Sequence, residues 1–136
     1  MANHDAYRVG RKVDLILINR LRQLYWPTWL RRMTIERVLR AKPCDFEDER
    51  LRPLRRNYDA GRIHFMLIQL RRREPLDPID VEATWSCNTP DGLWVSDGHH
   101  RLVASVLARK RRILANVWGI VATRDWLVGK TRRCPL

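Results

Sequence analysis

The segment Leu93–Ser105, "LWVSDGHHRLVAS", changes its period in the middle. Before Asp97, "LWVS" is short, apolar and rich in residues that suit a strand. After Gly98, the residues Leu102, Val103, Val106 and Leu107 recur at the three- and four-residue offsets of a helix. A strand ending at Ser96 is therefore expected to turn through Asp97 and Gly98 into a helix that starts near His100. The first turn of a helix has N–H groups without intrahelical acceptors and carries positive partial charge, so such a corner suits an anion. Gly98 permits the turn and the approach of a ligand to the backbone. Arg101 supplies a charge-assisted, fork-shaped grip on phosphate. His99 and His100 offer ring N–H donors, or one of them an acid–base group. Gly98, His99, His100 and Arg101 are thus the candidate phosphate-binding set. Asp97 has three roles open to it: capping the helix, orienting a histidine, or holding a metal. The two adjacent histidines point in different directions, so one of them is expected to be structural. A metal pair would need a third ligand from scattered candidates, and no metal site is assigned.

Elements of both kinds flank this corner. "PLDPIDVEATW" alternates Ile79, Val81 and Ala83, a strand pattern bounded by prolines, and "CNTPDG" is a turn by composition. "RRILANVWGIVA" is a further strand, followed by a short helix and a basic tail. On the N-terminal side, Val13, Ile16, Leu17, Leu21 and Leu24 in "VDLILINRLRQLYW" have helical spacing, and Pro27 ends that helix. "WLRRMTIERVLR" is expected to start helical and to be extended over Thr34–Leu39. "KPCDFEDERLRPLRRNYDAG" reads as two short helices or a kink at Pro53, with Gly61 as the helix stop. Ile63, Met66, Leu67 and Leu70 then mark another helical face. The fold class expected is α+β (α/β), a small mixed sheet with packed helices and an N-terminal helical extension.

The 136 residues carry 27 Lys and Arg against 15 Asp and Glu, a formal charge of +12. The excess is nearly all arginine, whose planar fork suits phosphate oxygens. Basic clusters such as "RPLRR", "LRRRE" and "ARKRR" recur along the chain, and such a field attracts polyanions. Arg109, Lys110, Arg111 and Arg112 are the candidate nucleic-acid contacts. No apolar run is long enough to span a bilayer, and the N-terminus lacks a signal-peptide pattern. A cytoplasmic protein with no membrane partner is expected. Cys44, Cys87 and Cys134 show no metal-ligand or dithiol spacing and are read as reduced structural thiols. Large core residues are the reading of the six tryptophans.

The proline-bounded strand "PIDV", followed at this distance by a strand, "DGHHR", a helix and a strand, resembles the ParB/sulfiredoxin superfamily. The resemblance runs from about Met33 to Gly119 and is strongest from Leu76 onward. It implies the fold, with 1–32 as the helical extension, 33–121 as the ParB/sulfiredoxin-like domain and 122–136 as a basic tail. It also implies a pocket for the phosphates of a nucleotide, CTP or ATP with Mg as an accompanying ion, at Gly98, His99, His100 and Arg101. By position in that box, His99 would take the contact or acid–base role, with Asp97 beside it. Sulfiredoxins carry their catalytic cysteine directly before the His-Arg of the box. Here His99 stands there, and sulfinic-acid reduction is not expected. Partition proteins of the ParB type continue into a helix-turn-helix reader that this sequence does not contain, so partition activity is not expected either.

The function expected is that of a small ParB-like protein of bacterial, plasmid or phage origin binding a nucleotide and DNA. Nuclease or NTP hydrolase turnover and a homodimeric state are left open. Two alternatives keep the same fold. One is a nucleotide-dependent small-molecule kinase, as some relatives are. The other is a mobile-element inhibitor acting through its basic face.

Overall fold

Strict alternation over Ile79–Ala83 sends Ile79, Val81 and Ala83 to one side, and all three are fully buried. This is strand β3 of a computed structural model that describes residues 7–8, 13–45, 55–83 and 93–134. The other strands are β1 (Tyr7–Arg8), β2 (Val13–Leu17), β4 (Trp94–Asp97) and β5 (Arg112–Ile120). The helices are α1 (Ile18–Leu24), α2 (Thr28–Arg31), α3 (Ile35–Arg40), α4 (Arg55–Arg71), α5 (His99–Leu107) and α6 (Val121–Leu127). The chain has the α+β fold class that its sequence pattern indicates. It divides into two compact units.

The first unit comprises 1–26, 78–98 and 111–136 and holds the sheet. β5 is the strand on which the rest assemble. β3 runs parallel to it, with Ile79 opposite Ala115 and Ala83 opposite Gly119. β4 is antiparallel to β3. β1 and β2 both pair antiparallel with β5, β2 against Arg112–Asn116 and β1 against Gly119–Ile120. Ile16, Ile113, Ala115, Val117, Val81 and Val95 form the buried side of the sheet. Val13, Leu15, Leu114 and Trp94 stay exposed. α1 packs on α6, and Trp126 and Leu127 of α6 are buried.

The structure corrects the N-terminal reading. Val13–Leu17 is a strand and the helix begins only at Ile18. Among the described residues, the expected helical extension therefore gives the strands β1 and β2 to the sheet before α1 begins. Asp14 and Ile16 point inward while Val13 and Leu15 point outward, a period of two hidden inside spacings that also fit a helix. The inward Asp14 is 7% exposed and is held by Arg124, Nη2 to Oδ1 at 2.8 Å and Nε to Oδ2 at 3.3 Å. Arg124 also donates to Asp125 at 2.8 Å, and these two carboxylate partners hold its guanidinium more firmly in the charged form than usual.

The second unit comprises 27–77 and 99–110 and is helical. Its core is Leu30, Met33, Val38, Ala60, Ile63, Met66, Leu67, Leu102, Val103 and Ala104, with α4 packed against both α3 and α5. Thr34–Leu39 is not extended. Thr34 is an N-cap whose hydroxyl accepts from the Arg37 N–H at 3.3 Å, and α3 follows from Ile35. Gly61 is no helix stop either, because α4 runs through it to Arg71. A Cβ there would lie 2.5 Å from the Lys42 carbonyl oxygen, and Cys44 N–H bonds to the Gly61 carbonyl at 3.0 Å. The glycine therefore serves close approach of two backbones. Pro53 and the "CNTPDG" turn lie outside the described residues.

Candidate nucleotide site

The strand entering the corner carries a bulge. Asp80 of β3 pairs with Asp97 while Val81 pairs with Val95, so Ser96 is an extra residue on β4. The bulge breaks the alternation and leaves Ser96 and Asp97 both exposed. The Ser96 hydroxyl donates to the Asp80 carbonyl at 3.4 Å. The Asp80 carboxylate is half-buried and accepts from Asn116 Nδ2 at 3.1 Å. Gly98 follows at φ +100, where a Cβ would lie 2.6 Å from Ile79 Cγ2. Only glycine meets both conditions, since a side chain here would be strained and would overlap β3.

α5 starts at the next residue, His99. His99, His100 and Arg101 form its first turn, all half-buried, and no acidic side chain belongs to that turn. Leu102, Val103, Ala104 and Ser105 are buried and anchor the helix, with the Ser105 hydroxyl donating to the Arg101 carbonyl at 2.8 Å. The two histidines have different neighbours. His100 Nε2 is 2.8 Å from Asp59 Oδ1 of α4. Its ring meets Tyr58 at 6.1 Å and 86° and Trp29 at 6.3 Å and 73°, edge-on in both cases. The His99 ring lies 5.6 Å from Trp29, tilted by 52°.

The division into units falls inside the motif. Asp97 and Gly98 belong to the first unit, and His99, His100 and Arg101 to the second. The second unit adds Trp29, Tyr58 and Asp59 to the predicted set. Sequence reasoning missed Asp59, which it read only as part of the end of a helix stopped by Gly61. A signal was present. Asp59, Ile63 and Met66 share one helical face by their four- and three-residue steps, and a carboxylate on an apolar stripe needs a partner.

At the other end of α5, Arg109 takes φ 58 and Lys110 N–H bonds to the Ser105 carbonyl at 2.9 Å, a Schellman-type stop made without glycine. Arg109, Lys110, Arg111 and Arg112 are all exposed, and Arg112 donates to the Val128 carbonyl at 3.2 Å. Among the described residues, no three His, Cys, Asp or Glu side chains gather as a metal site. Cys44 is half-buried and Cys134 is exposed, while Cys87 lies outside the described residues. Of the described tryptophans only Trp126 is buried, and Trp94 is 41% exposed, so the core reading holds for one of them. No helix of the described residues is long and apolar enough to cross a membrane. No protein-family model, curated protein or solved structure matches this chain.

Proposed function

We propose that this is a small ParB-like protein that binds a nucleoside triphosphate, CTP or ATP as its magnesium complex, at the start of α5, and DNA through its arginine-rich surface. One observation carries the nucleotide reading: the first turn of α5 holds His99, His100 and Arg101 and no carboxylate. The start of a helix already carries about +0.5 elementary charge, so a cation there has the wrong sign for helix stability, by about 0.3–1 kcal/mol. A phosphate group reverses that sign. Its oxygens would meet the helix end, the Arg101 fork and the His99 imidazole N–H together.

Equilibrium binding of the four ribonucleoside triphosphates and ADP, with and without magnesium and DNA, tests the reading. Arg101→Ala is expected to weaken nucleotide binding about tenfold or more through the loss of charge-assisted hydrogen bonds. Equal affinity in variant and parent removes Arg101 from the site. No binding of any nucleotide by the parent overturns the reading.

A further inference from the structure

Asp59 and His100 are 17% and 19% exposed, so both side chains have given up most of their water to face each other. A carboxylate can only accept, so the Nε2 atom facing it carries the proton and the lone pair of the neutral ring lies on Nδ1. Tyr58 and Trp29 flank the imidazole edge-on and restrict its rotation. One nitrogen fixed by a half-buried carboxylate and the other left basic is the arrangement of an acid–base group. The carboxylate fixes the tautomer and the orientation of the ring. All four residues lie within the second unit, and His100 stands in the first turn of α5.

We infer that His100 is a general base for hydrolysis of the bound nucleotide, and that Asp59 is its positioning residue. The inference rests on the reading that a nucleoside triphosphate binds at the start of α5. Water attacks the terminal phosphorus and a new P–O bond forms. The bond from that phosphorus to the bridging oxygen breaks, and its electron pair leaves with the nucleoside diphosphate, whose charge the substrate's magnesium ion offsets. The proton lost by water passes to His100 Nδ1 and then to solvent. Nothing is oxidised or reduced.

The test pairs magnesium-nucleotide binding with steady-state phosphate release, on the full chain with and without DNA. His100→Ala is expected to lower kcat about 100-fold or more, within the range of general-base effects. Asp59→Asn, isosteric but able to offer an N–H where the carboxylate can only accept, no longer fixes the tautomer and is expected to lower it about tenfold or more. Nucleotide Kd should stay within about twofold of the parent in Asp59→Asn, and in His100→Ala the fall in kcat should far exceed any rise in Kd, which separates a catalytic loss from a binding loss. Added imidazole should restore part of the rate to His100→Ala and none to Asp59→Asn. If either variant loses nucleotide binding through misfolding, His100→Gln, which keeps an amide N–H for Asp59, serves in its place. Should that variant also fail to fold, the pair is structural and the inference falls. Parent-like turnover in His100→Ala or Asp59→Asn overturns it too. A parent that binds nucleotide without hydrolysing it overturns the inference and leaves the binding reading standing. A parent that binds none overturns both.

Discussion

Gly98 combines two demands that usually occur separately, a positive φ and a neighbour within overlap distance of any Cβ. Gly98→Ala is expected to lower unfolding free energy by about 2 kcal/mol or more, since strained φ alone costs about 1–3 kcal/mol and the contact with Ile79 adds to it. Urea denaturation monitored by tryptophan fluorescence measures the loss, and a variant as stable as the parent would show that β3 yields readily at Ile79. Glycine at this turn was legible, because a strand period and a helix period meet there with no other residue able to make the junction. Asp59 was not. Its place depends on α4 continuing through Gly61, and a glycine within a helix reads as a stop unless the close approach of the Lys42 carbonyl is known. Asp14 was hidden for a similar reason, since its partner Arg124 lies 110 residues away.

At the level of elements, short helices owe more to their ends than to their length. α3 has only six residues, and Thr34 holds its first turn. Thr34→Ala is expected to cost about 0.5–1 kcal/mol and to speed amide exchange in α3, whereas Thr34→Ser should keep most of the capping energy. Equal exchange rates in parent and alanine variant would show that packing of Val38 alone keeps α3 formed. The strands β3 and β5 and the helix α5 were readable because each buries one clear face, with period two or 3.6, and β4 was readable from its short apolar run alone. β2 was not, since "VDLILI" satisfies both periods. Pairing with β5 decides between them, and a single segment carries no record of its partner. The same limit applies to Thr34–Leu39, where local alternation favours a strand and no neighbouring strand is there to receive it.

For the whole molecule the net charge of +12 is the strongest long-range property. If its arginines contact the DNA backbone, affinity for a mixed-sequence duplex should fall roughly a thousandfold between about 50 and about 200 mM salt, the drop expected for about six phosphate contacts. Fluorescence anisotropy titrations measure it, and binding that ignores salt would exclude the charge as its source. The order of the strands along the chain bears on a different matter, the way the protein is made. β5 holds β1, β2 and β3 together, yet it follows all of them in the sequence. Among the described residues, the strand partner of β2 is still untranslated when β2 leaves the ribosome, and β3 has β4 alone to pair with until Arg112–Ile120 arrives. Leu15 and Val13 then sit on an unpaired edge, the kind of surface that joins other chains. Folding of the sheet must therefore wait for nearly the whole chain, and a ribosome-bound fragment ending before Arg112 should engage chaperones far longer than one ending after Ile120.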